Sequence, residues 1–194
     1  ENGFLYVFGK TYYQVVGADW FNYYSERYNT DNKQRRFPNK GKIDLNIPKH
    51  AIVKNFKISP NSKFIAYTEH NQGVRKVIVY DIANESQTVL YKHGERDYSG
   101  DYESNYPLIA WTKTSDKVII IHEKRDKVKI RYQSINKKSV KDKVIEGVER
   151  ITDFDVVSSS SLAFVGIQNG HSDLYLYNGG APRAITNDFW DEKE

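Results

Sequence analysis

The side chains of this 194-residue sequence best suited to acid–base or metal chemistry near neutral pH are five histidines, His50, His70, His93, His122 and His171. Their spacing matches no metal-ligand pattern. Each falls at or near an expected loop, and exposure at turns accounts for them; His70 and His171 fall in similar turns, so one face could carry both. His122-Glu123 is followed by Lys124-Arg125-Asp126, which is not the His-Glu-x-x-His helix of a zinc peptidase. No Gly-x-Ser-x-Gly elbow offers a nucleophile, and the serines at 158–161 read as a turn. No glycine-rich loop precedes a helix to cradle phosphate. Asp153 and Asp155 share one side of an expected strand, yet nothing distinguishes them from solvated charges. The absence of cysteine removes disulfides, thiolate metal sites and cysteine nucleophiles together. The chain is expected to carry no catalytic constellation, no cofactor and no metal.

Binding is better supported than catalysis. The run from His93 to Glu103 is acidic, contains tyrosines and is longer than a tight hairpin. Such loops on rigid sheets are where recognition usually sits. Asp97, Tyr98, Asp101, Tyr102 and Glu103 are therefore candidate protein-binding residues, with Phe189 and Trp190 in a second acidic, aromatic stretch. Asp97, Asp101 and Glu103 lack the spacing and glycine of a calcium loop. The 29 basic and 25 acidic residues are interleaved, so a net charge of +4 predicts no nucleic-acid partner. Lys33, Arg35, Arg36, Lys40 and Lys42 could touch anionic lipid, phosphate or an acidic partner; turn residues interrupt them, and a solvated connector is the simpler reading.

Strands must position these residues. Phe56 and Ile58 alternate with Lys57 as a half-buried strand requires. Ser59-Pro60-Asn61-Ser62-Lys63 is a turn, Phe64 to Thr68 a second strand, Asn71-Gln72-Gly73 another turn, and Val77 to Ile82 a β-branched third strand. A fourth strand covers Thr88 to Tyr91. The same order of strand and turn recurs from Leu108 to Tyr132 and from Ile151 to Asn178. Repeats of roughly 40–50 residues that cannot bury their own faces predict stacking as propeller blades, in preference to a plain β-sandwich.

Ahead of the repeats, Phe4-Leu5-Tyr6-Val7-Phe8 reads as a strand closed by Gly9. Asp19 reads as the N-cap of a short amphipathic helix carrying Trp20, Tyr23, Tyr24, Arg27 and Tyr28. Ile43, Leu45 and Ile47 alternate with polar residues and predict one lone strand. The expected fold is all-β: an incomplete β-propeller of about three to four four-stranded antiparallel blades with a short N-terminal helix. The expected division is 1–30 as the tail or junction of a preceding domain, 31–53 as a polar basic connector, and 54–194 as blades at about 54–94, 105–148 and 149–194. Without methionine, and with a repeat that demands a further strand after Glu194, the sequence reads as part of a longer protein. No apolar run approaches the roughly 20 residues of a membrane-spanning helix.

Ile58-Ser59-Pro60-Asn61-Ser62-Lys63-Phe64-Ile65-Ala66-Tyr67, with Val79-Tyr80-Asp81, resembles the TolB-type WD40-like β-propeller repeat, which is written as a strand, a Ser-Pro-Asp-Gly-Lys turn, an Ile-Ala-Tyr strand and a Tyr-Asp strand end. Ile185-Thr186-Asn187-Asp188 is similar to its inter-blade linker. The chain departs from the pattern at Asn61-Ser62, and its later blades lose the proline and glycine. Residues 104–111 and 168–177 are similar to segments of large TolB-like envelope proteins of Bacteroidota. That resemblance implies a non-catalytic scaffold, periplasmic or outer-membrane-associated, whose partners are other envelope or outer-membrane proteins. Prolyl-oligopeptidase-like hydrolases carry similar propellers, and metallopeptidase-like domains precede such blades, so a peptidase accessory is the alternative. Fold resemblance alone does not choose between them.

Overall fold

The structure, a computed structural model, describes residues 2–35, 43–94, 106–136 and 140–187. The chain forms two compact units, Glu1–Asp44 and Leu45–Glu194.

The first unit is helical. Phe4 to Phe8 lies in helix α1 (Asn2–Phe8), not in a strand. A five-residue apolar run does not distinguish the two by periodicity. Gly9 decides the matter: at φ 63° it is a left-handed helix terminus, and its N–H donates to Leu5 O at 2.9 Å. A π-helical segment (Tyr13–Trp20) then runs directly into α2 (Phe21–Gln34). Asp19 is therefore inside a helix and not its N-cap; its carboxylate pairs with Lys10 Nζ. The helix start is held instead by Thr11 and Gln14. Thr11 N–H donates to Gln14 Oε1 and Gln14 N–H to Thr11 Oγ1, a reciprocal capping box. The helix is correspondingly longer than the aromatic stripe predicts.

The second unit is three four-stranded antiparallel sheets, each in sequence order: β1 (Ile52–Ile58), β2 (Phe64–Asn71), β3 (Val74–Asp81) and β4 (Ser86–His93); β5 (Leu108–Trp111), β6 (Lys117–Glu123), β7 (Val128–Ser134) and β8 (Lys143–Val144); β9 (Arg150–Val156), β10 (Leu162–Gln168), β11 (His171–Tyr177) and β12 (Arg183–Ala184). The first strands β1, β5 and β9 neighbour one another in turn, as the inner strands of adjacent propeller blades do. Ile43, Leu45 and Ile47 form no strand; Leu45 packs instead on Tyr67, Ile78 and Tyr80, and its carbonyl accepts from Gln87 Nε2.

Burial follows the stacking. Val77–Tyr80 in β3 and Val118–His122 in β6 are buried without alternation, because each lies in a sheet covered on both faces. In the third blade β10 and β11 alternate strictly, with Leu162, Phe164, Tyr175 and Tyr177 turned into the core. One core joins Ala66, Val77 and Val79 to Ile109, Trp111 and Ile120 between the first two blades. A second joins Ile119, Ile121 and Ile130 to Phe154 and Phe164 between the second and third. β1 departs from the expected alternation. Its register shifts between Lys54 and Lys57, with Asn55 at φ 55°, so Phe56 and Ile58 are 53% and 66% exposed.

Candidate functional site at the seam of the first two blades

All seven candidate contact residues, Asp97, Tyr98, Asp101, Tyr102, Glu103, Phe189 and Trp190, lie outside the described residues. The polar chemistry that is described concentrates where the first blade meets the second.

Turns of matched geometry bring the blades together. In the first blade Ser59 Oγ accepts Phe64 N–H at 2.9 Å and Asn61 Oδ1 accepts Lys63 N–H at 3.1 Å, with Ser62 at φ 57°. In the second blade Thr112 Oγ1 accepts Lys117 N–H at 3.2 Å, with Ser115 at φ 61°. The hydroxyl residue and the left-handed residue occupy the same places in both. Asn61 N–H then donates across the seam to Ser115 Oγ at 3.1 Å. Trp111 Nε1–H reaches back to Lys57 O at 2.9 Å, and its ring stacks on Phe64 at 6.1 Å.

Farther along the same seam sits a mixed aromatic and charged cluster. Asp142 Oδ1 receives Arg131 Nε–H at 2.6 Å and lies 3.3 Å from His122 Nε2, off the line of a well-directed hydrogen bond. The His122 ring is 4.7 Å from that of Tyr91, and the Arg131 guanidinium lies over Tyr91 at 5.1 Å. His122 is only 2% exposed, so its place in β6 corrects the expectation of an exposed turn histidine. Burial holds its pKa below the ordinary histidine value, with Asp142 opposing that effect. Burial also pushes Tyr91 up to about 12, against the pull of Arg131. Burial alone would raise Asp142, but the Arg131 hydrogen bond and the nearby His122 outweigh it and leave the carboxyl below its usual range. His70 is likewise partly buried, in β2, and burial with Arg75 and Lys54 brings its pKa down to about 4. The sequence carried one signal for the cluster. Asp142 is a lone acid between Lys141 and Lys143, and His122 continues the buried run of β6 in phase with Ile120.

At the hairpin end of the seam a cleft of about 270 Å3 is lined by Arg75, His93, Tyr106 and the four residues from Glu123 to Asp126. Arg75 comes from the first blade and the hairpin residues from the second. Tyr106 is buried, and its hydroxyl accepts Ile151 N–H at 2.8 Å, which ties the cleft floor to the third blade. Gly94 follows His93 of this cleft. At φ +95° a Cβ there would fall 2.2 Å from Gly73 O, so the backbone crosses the β2–β3 hairpin at a distance only glycine allows. Among the described residues no group of histidine and carboxylate side chains could hold a metal ion. The arrangement is suited to holding blades together and presenting charge.

No protein-family model matches the chain, and no curated protein matches it. Solved structures do. TolB from Acinetobacter baumannii is 12% identical with a TM-score of 0.52, over 69% of this chain and 31% of that one. A prolyl endopeptidase is 13% identical with a TM-score of 0.51, over 72% and 22%. Oligopeptidase B from Trypanosoma brucei is 11% identical with a TM-score of 0.50, over 72% and 20%. The chain thus spans about a third or less of the structures it matches. At these identities the likeness shows the fold alone, and Leu45–Glu194 holds three blades of an incomplete β-propeller.

Proposed function

We propose that the chain is a non-catalytic propeller segment that holds a protein partner, as part of a larger cell-envelope protein. The observation that carries this reading is the use made of the reactive side chains. His122, Asp142 and Arg131 are spent on one another inside a blade seam, while Arg75, Lys124 and Arg125 of the cleft between blades form no ion pair among the described residues. The structural likeness to TolB and the resemblance of residues 58–67 to the TolB-type repeat favour the periplasm or outer membrane, and residues 104–111 and 168–177 resemble segments of envelope proteins of Bacteroidota. The loop at 97–103, with Phe189 and Trp190, belongs to this reading as candidate contact surface.

The second reading is the propeller of a peptidase whose catalytic domain lies elsewhere, which the likeness to prolyl endopeptidase and oligopeptidase B supports equally on fold. One experiment separates them. The full-length parent protein is purified from its source with photo-crosslinkers at Lys124 and Tyr98, and assayed on a panel of peptide substrates. Discrete protein adducts without hydrolysis support the scaffold. Peptide hydrolysis that is lost on deleting the blades supports the accessory role and sinks the first reading.

A further inference from the structure

The three blades share a hairpin design, and the middle one breaks it. The β2–β3 turn uses Gln72 and Gly73 at φ 48° and 82°, and the β10–β11 turn uses Asn169 and Gly170 at 52° and 78°. Both are two-residue turns with positive φ at each position, which glycine and asparagine tolerate best. The β6–β7 turn has the same form, closed by Lys124 N–H to Lys127 O at 3.0 Å, yet its residues are Arg125 at 57° and Asp126 at 54°. Charged side chains thus occupy both turn positions, with Asp126 where the sister turns place glycine, and both line the cleft with Arg75 and Lys124.

Among the described residues Arg75, Lys124 and Arg125 outnumber Glu123 and Asp126 in the cleft lining. Among the described residues no carboxylate pairs with Arg75, Lys124 or Arg125, although ion pairs form elsewhere in the chain. His93 registers the local field: burial lowers its pKa, and Lys124 and Arg75 lower it further. Glu123 and Asp126 line the same cleft. Their oxygens can accept backbone N–H groups of a peptide, donors that a phosphodiester backbone lacks.

We infer that this cleft binds a carboxylate side chain of an acidic peptide segment, with Arg75 and Lys124 as its charge partners and Arg125 beside them. The inference rests on the protein-binding reading above and names the site and chemistry of that contact. Arginine offers a carboxylate two parallel N–H donors, and lysine a point charge, so a cleft drawn from two blades discriminates by geometry as well as by sign.

The test uses the full chain and a fluorescein-labelled hexaglutamate peptide, followed by anisotropy, with hexaglutamine as its neutral counterpart. The double variant R75Q/K124Q is expected to weaken hexaglutamate binding about tenfold or more, equivalent to about 1.4 kcal/mol. The control K57Q/K63Q removes the same charge at the opposite end of the first blade and is expected to leave affinity unchanged. Equal losses in the two variants, or equal binding of hexaglutamine, would overturn the assignment. So would succinate displacing the peptide as strongly as free hexaglutamate does, since that points to a small-anion site. An unchanged urea midpoint in R75Q/K124Q certifies the fold. If hexaglutamate binds nowhere while Lys124 still crosslinks a protein in the parent, the cleft chemistry fails and the scaffold reading survives.

Discussion

The indole N–H of Trp111 donates to the carbonyl oxygen of Lys57 at 2.9 Å, tying the first strand of one blade to the first strand of the next. The ring that makes this bond is 7% exposed and stacks on Phe64, so one side chain supplies both apolar burial and a directed inter-blade bond. Trp111→Phe keeps the stacking and strands the carbonyl, at an expected cost of about 1–3 kcal/mol. Trp111→Ala removes the ring as well and is expected to cost about 3–5 kcal/mol. Urea unfolding followed by circular dichroism measures both. A Phe variant as stable as the parent would mean the carbonyl finds water and the bond contributes nothing.

Ser59 and Thr112 do one job in two sequences that look different. Each accepts the N–H of the residue five positions on, and each turn carries a left-handed serine three positions on, at Ser62 and Ser115. Ser59→Ala is therefore expected to cost about 1–2 kcal/mol, since Ser59 is buried and Phe64 N–H loses a partner. Ser59→Thr, which copies the second blade, is expected to be nearly neutral. The reverse order of stabilities would refute the equivalence.

This pair also shows what was legible in the sequence. The blade grammar was readable because hydroxyl, turn and β-branched strand recur in order, even where proline and glycine are replaced. Strand-versus-helix choice at Phe4 to Phe8 was not, because five apolar residues fit either period and the deciding feature was Gly9 as a terminus. Thr11 and Gln14 did carry a helix signal at the capping-box spacing, and Asp19 drew attention from it. His122 was misread for a tertiary reason. Its burial depends on Tyr91 from a strand 31 positions earlier and on Asp142 beyond a lysine-rich stretch, which no local pattern specifies.

Acid should loosen the blades through their buried histidines. His70 has a folded pKa of about 4, below the unfolded value near 6.5, so the unfolded chain takes up its proton first as pH falls. The stability it contributes is complete above about 6.5 and is lost as pH drops toward 4. His122 shifts in the same direction. The urea midpoint is expected to fall between pH 7 and pH 4.5, and His70→Gln should flatten that fall by removing one titrating group. Carboxylates held low, Asp81 and Asp116 among them, add their own losses at lower pH, which is why the variant and not the slope decides. A His70→Gln profile parallel to the parent would exclude His70 as a contributor.

The Arg125-Asp126 turn sets stability against recognition. Non-glycine residues held at positive φ cost on the order of 1 kcal/mol each when nothing local supports them. The third blade shows the relaxed solution, Asn169-Gly170, with positive φ at both positions, 52° and 78°. Copying it into the second blade as R125N/D126G is expected to raise stability by about 1 kcal/mol, read as a higher urea midpoint. R125N/D126G removes a cation and a carboxylate from the cleft together, so its affinity for hexaglutamate is read against D126G, from which it differs only by the loss of Arg125, and should be the lower of the two. D126G alone separates the two effects: it relieves part of the strain and deletes a carboxylate from the cleft, and is expected to raise both stability and affinity for hexaglutamate. If R125N/D126G gains stability and binds hexaglutamate as tightly as D126G does, Arg125 stands in the turn without facing the ligand. If it loses stability, the turn is supported by contacts that outweigh its dihedrals, and the strain argument fails.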